Sequence, residues 1–300
     1  MANRINSVFT LEDTPLAYAV GDKGLILGSR DGGSTWERKP VPVKENLYTV
    51  HFPGQGEIGY ACGDKGTIVK TTDQGRTWQQ LGSGMDIDLR AVKFPVNPKV
   101  GFIVGDSGTI LRTVDSGQTW EKLPSPTVEK LMDLDFPADE TTGYAVGLNS
   151  TILKTTTGGS MWFPQSSNIQ NLLPGAQITA VHFPADDMVG FATTGSGFVI
   201  FTPDGGEIWH PLPLDMPLPA LYSLDFRHDT LAGFAVGAQG TLIHTNDGGT
   251  NWERLNLGVS ADLFTIRFFA DGQIGIIGGD EKTLLQTQDG GSTWSKAEQP

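Results

Sequence analysis

Short apolar runs recur along the chain in a fixed order. A run that alternates apolar and polar positions, such as Thr49-Val-His-Phe52, is followed by one of the type Gly143-Tyr-Ala-Val146. A nearly continuous run such as Thr109-Ile-Leu111 comes next, and then a polar octet that ends on tryptophan. The first type appears as Ser7-Val-Phe9, Thr49–Phe52, Ala91–Phe94, Asp133–Phe136, Ala180–Phe183, Ser223–Phe226 and Thr265–Phe268. The octets are Ser29–Trp36, Thr71–Trp78, Thr113–Trp120, Thr155–Trp162, Thr202–Trp209, Thr245–Trp252 and Thr287–Trp294. Their tryptophans, all seven in the protein, are spaced by 42, 42, 42, 47, 43 and 42 residues. A period near 40 that fills a chain is the mark of a propeller or another repeat array.

Each repeat reads as four short strands, A to D. In the second copy they are expected at Leu47–Phe52, Ile58–Cys62, Thr67–Thr71 and Thr77–Leu81, joined by hairpin-length links with glycine where positive φ is needed. Four hairpin-linked strands make one antiparallel sheet, and seven sheets around an axis leave only short, protected edges. Apolar runs without strict alternation suit sheets covered on both faces. The expected fold is therefore all-β, a single seven-bladed β-propeller over residues 1–300. Its blades fall near 1–40, 41–84, 85–126, 127–170, 171–214, 215–257 and 258–300. The chain starts on a strand A and ends on a strand D, so the ring should close by packing of blade 1 on blade 7.

The octets carry the most repeated polar pattern, and their chemistry is that of a turn. Asp31, Asp73, Asp115, Asp204, Asp247 and Asp289 can bond backbone amides one or two residues on, while the glycines supply left-handed backbone. Trp36, Trp78, Trp120, Trp162, Trp209, Trp252 and Trp294 should then pack down into their own sheet and its neighbour. Burying one indole is worth about 4–6 kcal/mol gross. Copy four is degraded, with Thr157 for Asp and Met161 for Thr. One carboxylate per turn falls far short of the roughly six to eight oxygens that calcium takes. The octet reads as a structural staple, with no metal.

The Ser/Thr-x-Asp-x-Gly-x-Thr-Trp octet is the Asp-box, or BNR repeat, shared by sialidases, some glycoside hydrolases and sortilin-type receptors. The full repeat, with Val-x-Phe-Pro, then Gly-Tyr-Ala-Val-Gly-Asp-x-Gly-Thr-Ile-Leu-x-Thr, then the octet, resembles the photosystem II stability/assembly-factor-like family. The resemblance covers all seven copies. It implies a non-enzymatic assembly chaperone that binds a membrane-protein intermediate, and its photosynthetic members are associated with an arginine-rich binding patch. The nine arginines of this chain, Arg4, Arg30, Arg38, Arg76, Arg90, Arg112, Arg227, Arg254 and Arg267, are scattered along the sequence.

Strand polarity sorts the connections. The D–A loops and B–C turns share one face; the A–B turns and octets share the other. Regularity is concentrated on the octet face, so recognition is expected opposite. There, the residue two before each A-strand Val, Leu or Ile should reach the channel mouth: Asn6, Tyr48, Arg90, Met132, Thr179, Tyr222 and Phe264. Aromatics, Arg and Met are enriched at protein contacts. Two D–A links add apolar candidates: Leu172 and Leu173 in Phe163–Gln177, which accounts for the 47-residue spacing, and Leu214 and Met216 in Pro211–Pro219. These leucines either protrude as contacts or cap the blade edges.

Charge and the remaining chemistry narrow the function. The formal net charge of −13, from 21 basic and 34 acidic residues, argues against nucleic acid or anionic membrane as partners of the whole molecule. No run approaches transmembrane length, so direct membrane insertion is not expected. Residues 1–10 lack an apolar signal-like core, which suits either a cytoplasmic protein or an exported one in mature form. Cys62, the single cysteine, takes a slot filled by valine in other copies and reads as a small core residue. His51, His182, His210, His228 and His244 are scattered, and no Gly-x-Ser-x-Gly, zinc-spaced set or phosphate loop is present. A sialidase would need three arginines converging on a carboxylate, a Tyr/Glu pair and an acid; Arg4-Ile-Asn6 only brushes its Arg-Ile-Pro signature. The sequence points to a cofactor-free scaffold for protein partners within a larger assembly. A glycan-binding or glycoside-hydrolysing propeller is the alternative.

Overall fold

The computed structural model describes residues 4–165, 169–214, 216–227 and 231–299. They form seven four-stranded antiparallel sheets, each built from four consecutive strands in the order A-B-C-D. The A strands Ile5–Thr10, Leu47–His51, Leu89–Lys93, Leu131–Asp135, Ile178–His182, Leu221–Phe226 and Leu263–Phe268 stand around the axis. The B strands, such as Gly59–Gly63 and Gly143–Gly147, are buried at every position, as a strand covered on both faces must be. The D strands are short and largely exposed, Gln79–Leu81 in blade 2 and Glu121–Lys122 in blade 3. Among the described residues no helix is long and apolar enough to cross a membrane.

Blades are joined by an aromatic triplet. The B-strand ring of one blade stacks on the A-strand Phe of the next, and the octet Trp of that next blade meets the Phe edge-on. In the first copy Tyr18 stacks on Phe52 at 4.2 Å, and Phe52 meets Trp78 at 5.8 Å and 83°. The same set recurs as Tyr60/Phe94/Trp120, Phe102/Phe136/Trp162, Tyr144/Phe183/Trp209, Phe191/Phe226/Trp252 and Phe234/Phe268/Trp294. Each pairing adds about 0.5–1.5 kcal/mol beyond the buried area. The A-strand ring also lies flat over the first residue of its own B strand, where any Cβ would press into it; this is why Gly59, Gly101 and Gly143 are glycines.

The seam between blades 7 and 1 breaks the pattern. Ile276 replaces the stacking ring, Thr10 replaces the Phe, and Ala17 stands where the other blades have that glycine. Polar bonds do part of the joining instead. Thr10 donates to the Phe268 carbonyl at 2.9 Å, and Gln286 Nε2 to the Gly32 carbonyl. Glu298 pairs with the first octet, its amide donating to Ser34 O and its carbonyl accepting from Trp36 N. The ring thus closes blade on blade, with each sheet supplied by one stretch of chain, plus a short clasp from beyond the last D strand.

The octet turn differs in detail from expectation. The aspartate reaches forward four residues: Asp73 Oδ1 accepts from Thr77 N at 2.9 Å, and Oδ2 from the Thr77 hydroxyl at 2.6 Å. The Thr71 hydroxyl donates to Asp73 Oδ1 at 2.8 Å and accepts from Gly75 N at 2.9 Å. Gln74 and Gly75 both take left-handed backbone, at φ 57° and 67°. Because Thr77 is held in this turn, strand D of blade 2 begins at Gln79 rather than Thr77. Five of the octet tryptophans are buried, whereas Trp120 and Trp294 are only partly so.

The mouth of the central channel

Every A strand carries a β-bulge near its start, between Ile5 and Ser7, Leu47 and Thr49, Leu89 and Ala91, Leu131 and Asp133, Ile178 and Ala180, Leu221 and Ser223, and Leu263 and Thr265. The extra residues are Asn6, Tyr48, Arg90, Met132, Thr179, Tyr222 and Phe264. In a regular strand successive side chains point to opposite faces; a bulge re-aims one of them. Tyr48 and Thr49, Arg90 and Ala91, and Tyr222 and Ser223 therefore line the same space, a cavity of about 490 Å³ open at the end where the B–C turns lie. Sequence position alone placed these seven residues at the mouth. The bulge that turns them inward leaves no sequence signal.

Two Arg–aromatic stacks stiffen the rim. The Arg90 guanidinium lies 4.3 Å from the centre of the Tyr48 ring and is held by Asp88 and Asp106, each at 2.8 Å. Lys130 joins Asp106 at 3.1 Å. The Tyr48 hydroxyl donates to Asp64, and burial together with that bond pushes the phenol up to about 12. Across the opening, Arg4 lies 4.1 Å over Phe264 and pairs with Asp280 at 3.0 Å, while Tyr222 stacks on Phe264 at 5.2 Å. The rim is thus a set of flat, pre-positioned groups.

Below it, the polar A-strand slot forms a belt of Phe9, His51, Lys93, Asp135, His182, Asp225 and Arg267. Lys93 Nζ lies 2.9 Å from Asp135, His182 3.7 Å from the same carboxylate, and Arg267 3.7 Å from Asp225. Neighbouring inner strands share no ladder, so side chains take up their amides: Asp133 accepts from Val181 N at 3.1 Å, Asp135 from Phe183 N at 2.9 Å, and Asp225 from Phe268 N at 2.7 Å. Burial pushes the Asp133 carboxyl up to about 6, against the pull of the Val181 amide. Burial acts on Asp135 in the same direction, but Lys93, His182 and the Phe183 amide outweigh it and hold that carboxyl below its usual range. His51 is pushed down to about 3 by burial and by Lys93, which keeps it neutral; burial also lowers His182. Burial raises the Cys62 thiol far above its ordinary value, which makes it inert.

Sequence reading missed Arg4, Arg267, Asp133, Gln177 and Asp262, all of which line the cavity. Three of the nine scattered arginines, Arg4, Arg90 and Arg267, meet there because residues about two or four repeats apart face one axis. The apolar link residues lie elsewhere. Phe163–Gln177 contains a short helix, Ile169–Leu172, that buries Ile169 and packs Leu173 on the core, leaving Leu172 exposed. Leu214 and Leu218 pack against the core of blades 5 and 6, and Met216 is half-buried. His228 falls outside the described residues.

These features define the class: a seven-bladed Asp-box propeller with a polar channel opening into an aromatic and arginine rim. A model of the photosynthesis system II assembly factor YCF48 family matches residues 3–87, 39–128, 118–221 and 219–299, and the chain belongs to that family. Among solved structures it is similar to YCF48 from Cyanidioschyzon merolae, with a TM-score of 0.77 and 21% identity over 96% of both chains. It is similar also to a YCF48 solved bound to a D1 peptide, with a TM-score of 0.75 and 22% identity over 95% of this chain and 93% of that one. A xyloglucanase of family GH74 from Xanthomonas campestris gives a TM-score of 0.81 at 11% identity, over 99% of this chain and 55% of that one. At these identities the structural likenesses speak to the fold. No curated protein matches the chain by sequence.

Proposed function

We propose that this protein is a non-enzymatic, protein-binding assembly factor that receives a segment of its partner at the channel mouth, on the face of the D–A loops and B–C turns. The observation that carries this reading is the seven-fold bulge, which gathers Tyr48, Arg90, Met132, Tyr222 and Phe264 around one cavity. Flat aromatic and guanidinium groups held in place by neighbours lose little conformational freedom on binding, which is the property of anchor residues. Membership of an assembly-factor family, and a relative solved with a D1 peptide, point the same way. Asp133, a carboxylate that lines the cavity, has its oxygens engaged by the Leu134 and Val181 amides, which suits a structural part better than that of a general acid.

The test is binding of a D1 peptide, followed by fluorescence anisotropy. Replacing Tyr48, Arg90 and Tyr222 together by Ala should weaken binding at least tenfold, about 1.4 kcal/mol. Since Arg90 also holds Asp88 and Asp106, the pair Met132→Ala and Tyr222→Ala, which breaks no ion pair, serves as a second variant and should weaken binding at unchanged melting temperature. Unchanged affinity in both would move the site elsewhere. Glycoside hydrolysis abolished by a single carboxylate substitution would overturn the scaffold reading in favour of an enzyme.

A further inference from the structure

Among the described residues, the exposed large apolar side chains all lie between Val96 and Leu231, in blades 3 to 6. They are densest on the octet end of blades 4 and 5. At the seventh position of the octet, Thr35, Thr77, Thr119 and Thr293 each donate a hydroxyl to their aspartate at 2.6 Å, and Asn251 an amide at 2.7 Å. The same position holds Met161 in blade 4 and Ile208 in blade 5, 55% and 46% exposed. Two adjacent turns have thus given up a clamp bond and gained an exposed apolar side chain, with no compensating burial inside the fold. Met188 and Val189, exposed in the A–B loop of blade 5, sit beside the octet of the same blade: Met188 O accepts from Gly205 N at 2.7 Å. Tyr144 of blade 4 donates to both Asp187 O and Gly205 O, locking loop and turn to the neighbouring blade.

Charge says what covers this surface. The A–B loops and octets of blades 4 and 5 contain Asp139, Glu140, Asp186, Asp187, Asp204 and Glu207, and no Lys or Arg. The octets of blades 1 and 2, by contrast, carry Arg30 and Arg76. Lys154 Nζ reaches this region from the C strand of blade 4, but it is bound to Gly205 O at 2.6 Å. An apolar centre ringed by carboxylates repels an anionic lipid surface, and a second acidic copy of this chain as well. It complements a segment whose apolar residues are flanked by Lys and Arg, and methionine at the centre suits an adaptable contact. We propose that the octet end of blades 4 and 5 is a second docking surface, for a cationic amphipathic segment of a protein partner. It lies at the opposite end of the strands from the channel mouth and does not depend on the reading given for that site.

The experiment uses the full chain and a fluorescein-labelled amphipathic peptide of Leu and Lys at helical spacing. Met161→Thr with Ile208→Thr restores the residue most other octets carry, so the variant should fold with an unchanged or raised melting temperature. It should bind the peptide at least tenfold more weakly, while Met132→Ala with Tyr222→Ala leaves this binding unchanged. A matching peptide with Glu for Lys should not bind. Equal binding by parent and Thr variant would overturn the proposal, as would equal binding of the Glu peptide. Binding to anionic phospholipid vesicles, or self-association by light scattering, that is lost in the Thr variant would assign the surface to another occupant and overturn it too.

Discussion

The two ends of the propeller use the same residue type to opposite effect. At the octet end, Asp73, Asp115 and Asp289 sit in open turns where threonine hydroxyls and amides converge on them, and their carboxyls are pulled down to about 2. At the mouth end, Asp133 lies against the channel wall, and burial pushes it up to about 6. Repetition explains the first: the same turn recurs from blade to blade, so the local bonds, rather than the surroundings, set the chemistry. The second arises because the bulge and channel residues differ from blade to blade, so each meets its own set of neighbours on the adjoining blades. Repeated positions stabilise the fold, and the unrepeated ones are free to differ in chemistry from blade to blade.

The comparison can be broken most strongly at the octet end. Trp209 is fully buried against Phe183, and Trp209→Ala should cost about 3–5 kcal/mol in urea unfolding. The partly buried Trp120 should cost less, and equal losses would contradict the packing described. Thr71→Val keeps the shape of a buried side chain but orphans Gly75 N–H and removes two bonds with Asp73, for a loss of about 1–3 kcal/mol. A loss near zero would mean the turn is held by its glycines alone.

The smallest effect concerns pH. Asp133 has a folded-state pKa above its unfolded value, so its contribution to stability is fully present below the unfolded value near 3.8 and is lost as pH rises through about 6. Lowered octet carboxyls act in reverse: their contribution is present above the unfolded value and lost as pH falls through about 2. Asp133→Asn should therefore steepen the rise in stability between pH 4 and 6 relative to the parent, by at most about 1–2 kcal/mol because the side chain borders a cavity open to solvent. Parallel pH profiles for parent and variant would place Asp133 in a polar setting instead.

Much of this was legible in the chain. The tryptophan count and spacing define seven blades, and strand polarity separates the two ends, because both follow from local periodicity. Even the co-variation of Thr10 with Ala17, against Phe52 with Gly59, can be seen by aligning the copies. What could not be read is whatever depends on a repeat meeting its neighbour. The meeting of Arg4, Arg90 and Arg267 and the helix Ile169–Leu172 that buries Ile169 arise this way, whereas each bulge lies within a single blade and has no local residue signature.

The octet read as the emblem of the fold and its end of the molecule as the uniform one. Tertiary structure shows the octet as the turn that recurs from blade to blade, and the departures from it, Met161 and Ile208, are already written in the sequence. The sequence by itself determined the blade, since a turn, a strand and a tryptophan are specified by residues within about 42 positions of one another. Only closure of the ring decided the surfaces: it turned the bulge residues into one cavity, and brought the octets of Met161 and Ile208 to the same acidic end of adjacent blades. Side chains from different blades share a surface through the geometry of the ring, and no local pattern encodes that.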